Sequence, residues 1–81
     1  MTKGFLTECI KGGSKEGRTG YLLKFKYNSE LIEVLKRAVP HTNREWREDE
    51  KRWWVSIEFE DTLKLMFSNF EALIFMQESM F

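Results

Sequence analysis

Apolar and polar positions alternate in some stretches of the chain and recur at helical spacing in others, and the switches between the two periods mark out the elements. Tyr21, Leu23, Phe25 and Tyr27 fall on one face of a strand, with Lys24 and Lys26 pointing the other way beside Leu22. An earlier strand runs from Phe5 to Lys11, with two faces, Phe5/Thr7/Cys9 and Leu6/Glu8/Ile10, nearly tied in polarity. Between them Gly12-Gly13-Ser14-Lys15-Glu16-Gly17-Arg18-Thr19-Gly20 has the composition of a flexible connection, so the two strands predict a hairpin with a mobile tip.

Asn28-Ser29 then supplies helix-capping chemistry, Glu30 and Glu33 complement a helix N-terminus, and Leu31, Val34, Leu35 and Ala38 repeat at helical spacing until Pro40 ends the run. Trp46 opens a second hairpin across the charged turn Arg47-Glu48-Asp49-Glu50-Lys51-Arg52. Its returning strand has Trp53, Val55, Ile57 and Phe59 on one face and Trp54, Ser56 and Glu58 on the other. A last helix is expected over about 61–79, with Leu63, Met66, Phe67, Phe70, Leu73 and Ile74 as its stripe. The Ser68-Asn69-Phe70-Glu71 capping-box form leaves open whether that helix breaks and restarts at Ser68. The order predicts a single α+β domain over 1–81, an antiparallel four-stranded sheet with two helices packed on one face in the order ββαββα.

Eighty-one residues hold one such unit, which excludes a complete motor ATPase or a two-domain enzyme. Thirteen basic residues balance thirteen acidic ones, but unevenly. Residues 1–26 carry six basic and two acidic side chains, residues 27–59 six and seven, and residues 60–81 one and four. A single cysteine, Cys9, cannot form an internal disulfide. Met1-Thr2-Lys3-Gly4 leads into a mixed strand rather than an apolar stretch, so no signal peptide is expected. The longest apolar run, Leu73-Ile74-Phe75-Met76, falls far short of a bilayer span. The expected location is intracellular and cytoplasmic, the host cytoplasm if the chain is phage-encoded.

Candidate chemistry is sparse. Gly12-x4-Gly17-Arg18-Thr19 is one residue away from a phosphate-cradling loop, but a strand rather than a helix follows it, and the reading is a hairpin loop. Lys15 and Arg18 on that loop are candidates for non-specific phosphate contacts. Cys9 and His41 are too few soft ligands for a zinc site, and Cys9 sits within a strand pattern where a small buried residue is the usual explanation. No cofactor and no enzymatic activity are expected. Trp54 is more informative: alternation sends it to the face of Lys24 and Lys26. There it is either a stacking platform for unpaired bases or a cover for Leu22 or a protein contact. The last helix carries surplus apolar residues, among them Phe75, Met76, Met80 and Phe81, which suggest a homodimer or a docking surface.

Phe25-Lys26-Tyr27, then a helix containing Leu31-Ile32 and Leu35-Lys36, then Pro40, then Trp46, a charged turn and Lys51-Arg52-Trp53-Trp54-Val55, resembles the HARP-type domain. The resemblance covers about residues 21–58, and its most specific part is the pair Trp46 and Trp53 with six residues between them. It implies a DNA-binding accessory module of SNF2-type annealing helicases and related bacterial or phage proteins, acting in DNA repair or recombination on single-stranded or branched DNA. By position, Phe25, Tyr27, Trp46 and Trp53 would be structural aromatics, and Lys24, Lys26, Arg47, Lys51 and Arg52 would contact phosphates. No motor follows in these residues, so the resemblance implies action alone or with a separately encoded helicase.

Overall fold

Two hairpins pair through their second strands. The computed structural model describes residues 4–78, and of residues 77 and 78 the backbone alone. Its elements are β1 (Leu6–Gly13), β2 (Thr19–Phe25), α1 (Ser29–Ala38), β3 (Arg44–Arg47), β4 (Arg52–Ser56), α2 (Glu60–Met66) and α3 (Phe70–Glu78), with short 3₁₀ turns at His41–Asn43 and Ile57–Phe59. The sheet is antiparallel throughout, in the order β1-β2-β4-β3. The α+β architecture is therefore the expected one, with three helices in place of two.

One sheet face carries the main core. Cys9, Tyr21, Leu23 and Val55 meet Leu31 and Leu35 of α1, Leu63 and Met66 of α2, and Phe70 and Ile74 of α3. Asn28 starts α1 as expected, its side-chain oxygen accepting from the backbone N–H groups of Glu30 at 3.0 Å and Leu31 at 3.3 Å. The near-tie between the two faces of β1 has a structural answer. An irregularity between Leu6 and Glu8 pairs Leu6 with Phe25 and Glu8 with Lys24, so Leu6 and Cys9, an odd number apart, are both buried.

The C-terminal helix does break. Phe67 takes an extended conformation between α2 and α3 and forms a parallel bridge with Gly4. The Gly4 N–H donates to the Met66 carbonyl at 2.8 Å, and the Ser68 N–H donates to the Gly4 carbonyl at 3.1 Å. Asn69 then acts as a surrogate strand, its amide accepting from the Leu6 N–H at 2.8 Å and donating to the Leu6 carbonyl at 2.9 Å. The Asn69 side chain thus satisfies the start of an edge strand that no other strand reaches. Ile57 and Phe59, expected to continue β4, sit instead in a 3₁₀ turn capped by Ser56.

The first hairpin is also tighter than its composition suggests. The Ser14 N–H donates to the Arg18 carbonyl at 2.8 Å, and the Ser14 hydroxyl accepts from the N–H groups of Glu16 and Arg18 at 3.2 and 3.0 Å. Gly17 supplies the left-handed residue of this turn at φ 83°. These backbone donors point at Ser14, not at a phosphate.

Gly20 is the most constrained glycine: a Cβ there would press on the Val55 carbonyl and lie 2.6 Å from Cε2 and Nε1 of Trp54. Gly20→Ala should therefore cost at least about 2 kcal/mol, as overpacking against backbone does. Gly17→Ala meets open space and pays only the left-handed backbone, about 1 kcal/mol. Urea denaturation of both variants checks the order, and equal losses would refute the packing role of Gly20.

Candidate nucleic-acid interface

Trp54 does lie on the sheet face opposite the helices, opposite Leu22 in the register, but it is 1% exposed. The expectation of an exposed stacking platform at Trp54 is corrected. The physical reason is the first hairpin, which folds over this face. The indole Nε1–H donates to the Gly12 carbonyl at 3.1 Å, the ring edge lies against Gly20, and the Arg18 guanidinium stands 5.6 Å from the ring centroid.

The same closure occupies the arginines. Arg18 donates to the Thr42 carbonyl at 2.8 Å and to the Asn43 side-chain oxygen at 2.6 Å. Arg47 donates to the Gly13 carbonyl at 2.6 Å and pairs with Glu45 and Glu50. Arg52 pairs with Glu8 and Glu50. These three expected phosphate contacts are thus committed to fixing the hairpin and the β3–β4 turn. Lys15 is exposed at the hairpin tip, and Lys26 is exposed just past β2.

On the helix side the sheet opens. β2 and β4 stop pairing after Leu23 and Trp53, and the two chains part there. Trp46 pairs with Trp53 across β3 and β4, their ring centroids 5.2 Å apart and tilted by 50°. α1 is too short to cover both indoles. A groove of about 490 Å³ is left, lined by Tyr27, Ile32, Lys36, Trp46 and Trp53. A hollow of about 220 Å³ shares four of these residues and adds Leu23, Lys24, Phe25 and Lys51. Trp46 is 42% exposed and Tyr27 79% exposed, so two of the aromatics read as structural offer their rings to solvent.

Glu48 organises the rim of this groove. Its carboxylate accepts from the Trp46 indole N–H at 2.6 Å and from the Lys51 ammonium at 2.5 Å. Lys51 itself sits at a left-handed φ of 55°, which turns the chain back into β4. Of the residues expected to meet phosphate, Lys51 lines the smaller hollow, and Lys24 borders it from the strand register that faces Trp54. Lys36, read from sequence only as a last-turn helix charge, joins them. Its signal was present in the spacing: Ile32 and Lys36 lie one helical turn apart on the edge of the α1 stripe. Trp46 could have been found too, since it shares a face with Trp53 while the stripe of Leu31, Val34, Leu35 and Ala38 is narrow.

Elsewhere, Cys9 is a core residue whose thiol burial pushes up to about 12. Among the described residues no group of three His, Cys, Asp or Glu side chains could hold a metal ion, and no helix is long and apolar enough to cross a membrane. On α3, Phe75 and Met76 are 70% and 60% exposed, while Met80 and Phe81 lie outside the described residues.

The Lys51 and Trp46 hydrogen bonds, with the Lys51 charge, hold the Glu48 carboxyl below its ordinary value of 4.5. A lowered folded-state value means the contact is intact above pH 4.5 and is lost as pH falls through that lower value. The Trp46 indole N–H resonance should therefore titrate with a midpoint below 4.5, and Glu48→Ala should abolish the titration. A midpoint at or above 4.5 would contradict the assignment. Comparison with protein-family models, with curated proteins and with solved structures finds no match.

Proposed function

We propose that the protein is a non-enzymatic module that binds single-stranded or branched nucleic acid, with unpaired bases stacking in the groove of Tyr27, Trp46 and Trp53. The observation that carries this reading is the pairing of open aromatic rings with lysine ammonium groups. Tyr27 and Trp46 are exposed, Lys36 and Lys51 line the same hollows, and Arg18, Arg47 and Arg52 are engaged internally. Aromatic faces take the bases and cations take the backbone. The resemblance to the HARP-type domain supports DNA as the nucleic acid and a separately encoded helicase as the working partner. It also runs through Tyr27, Trp46, Lys51 and Trp53, which meet at this groove.

Titration of labelled single-stranded and forked DNA at two salt concentrations tests the reading. Tyr27→Ala should weaken binding about tenfold, the loss of roughly one stacking contact. Lys36→Glu combined with Lys51→Glu should weaken it further, while Lys64→Glu on α2 should leave it unchanged. Circular dichroism of each variant separates loss of binding from loss of fold. Equal losses from Lys64→Glu and the groove pair would reject the groove.

A second reading is a protein-interaction module that docks or homodimerises through α3, favoured by the exposure of Phe75 and Met76. Light scattering that finds a stable dimer, together with no DNA binding at low salt, would favour it over the first.

A further inference from the structure

We propose that the groove takes one unpaired nucleotide together with the phosphates on either side of it, rather than a running tract of single strand. This inference rests on the base-stacking reading above and specifies its substrate.

The aromatics come first. Trp46 and Trp53 touch each other at 5.2 Å, so no base enters between them, and their 50° tilt makes a single bent wall. Tyr27 and Ile32 complete the apolar lining of the groove. The space within is about 490 Å³, within the ~300–1,000 Å³ range of pockets for single small ligands. That is one stacking slot. Grooves that hold a running strand present successive aromatics along a basic track.

The charges agree. Lys36 lines the groove and Lys51 the adjoining hollow, where its ammonium is shared with Glu48, while Lys24 borders that hollow from the strand register that faces Trp54. At the β3–β4 turn Glu48, Asp49 and Glu50 share the space beside Trp46 with Lys15 and Arg47, and Glu48 and Glu50 are paired with Lys51, Arg47 and Arg52, so a continuing phosphate backbone would meet nearly balanced charge rather than a cationic track. The opposite sheet face offers no extension of the track, because Trp54 is buried there and Arg18, Arg47 and Arg52 are bonded to the protein's own carbonyls and carboxylates. An unpaired nucleotide in a bulge or at a branch point brings its base ready to stack, with two phosphates for the lysines.

Quenching of tryptophan fluorescence tests this with thymidine monophosphate, oligothymidylates from two to about sixteen nucleotides, and a DNA hairpin with or without one bulged thymine. Affinity should rise up to about three nucleotides, then grow only in proportion to the number of binding registers, short of the ~4–16 nucleotides of tract-binding domains. The bulged hairpin should bind about tenfold tighter than its fully paired control, since its base needs no unpairing. The slope of log affinity against log salt should be no steeper than about −2, the release expected from two to three phosphate contacts on a single strand. A steady rise to the longest oligomer, or a much steeper slope, would overturn the one-nucleotide footprint and leave the stacking reading standing. Monophosphate binding as tightly as the trinucleotide would overturn it in favour of a site for the soluble nucleotide. No quenching by any of these DNAs at low salt would overturn both.

Discussion

The indole of Trp54 lies where Gly20 carries no side chain, and both faces of the sheet take their character from that contact. Helices cover only one face of the sheet, so the other needs a cover that costs few residues. Trp54 supplies most of it. Its ring is held flat by Gly20, its N–H is satisfied by Gly12, and the Arg18 guanidinium caps it. Truncating a buried Trp typically costs about 3–5 kcal/mol. A chain of this size has a total stability of only about 4–12 kcal/mol, so this one side chain carries a large share. Because Arg18, Arg47 and Arg52 are spent on anchoring this closure to backbone carbonyls and glutamates, the lysines are left for the rest of the surface.

The helix break completes the division of labour. With Phe67 extended, both Phe67 and Phe70 enter the core, Phe67 against Phe25 with centroids 5.3 Å apart and Phe70 edge-on to Tyr21 at 5.1 Å. A continuous helix would have to turn through this region without pairing Gly4, and the start of β1 would lose the Asn69 amide that satisfies Leu6. α3 therefore packs along β1. α1 is left alone over the β3–β4 side, and ten residues of helix do not cover both Trp46 and Trp53. The groove is a consequence of where the C-terminal helices are needed.

Period and capping were legible wherever a residue's neighbours in sequence decide its place. The α1 stripe, its Asn28 cap, the alternation of β2 and the pairing within each hairpin follow from local chemistry. The sheet face of Trp54 was legible too, since alternation alone gives it. Its burial was left open between a stacking platform, a cover for Leu22 and a protein contact, because the cover comes from residues some forty positions away and depends on Gly12 and Gly20 lacking side chains. Glycines read locally signal turns; here they make room. The irregularity at Thr7 was likewise out of reach, since a strand with tied faces holds no information about which residue will be extra. At the candidate site, Lys51 was picked out through the HARP-type resemblance, Lys24 was placed on the face of Trp54, and Tyr27 and Trp46 were read as structural because the resemblance assigns them so by position.

The balance of thirteen basic and thirteen acidic residues looks unpromising for a polyanion partner until the charges are sorted by geometry. Guanidinium groups are planar, multidentate donors, suited to fixing carbonyls and carboxylates within a fold, and Arg18, Arg47 and Arg52 do that here. Ammonium groups are compact and strongly hydrated, and they stay at the surface. Internal pairing thus cancels Glu8, Glu45 and Glu50 against arginine without involving the lysines of the groove. What a phosphate would meet is a local field, screened over about 8–10 Å at ordinary ionic strength, and within that radius the charges at the groove matter far more than the total. Zero net charge is then compatible with a small cationic site, and it sets a ceiling: with few lysines to exchange for counterions, base stacking has to supply a larger part of the affinity than in a basic tract-binding protein.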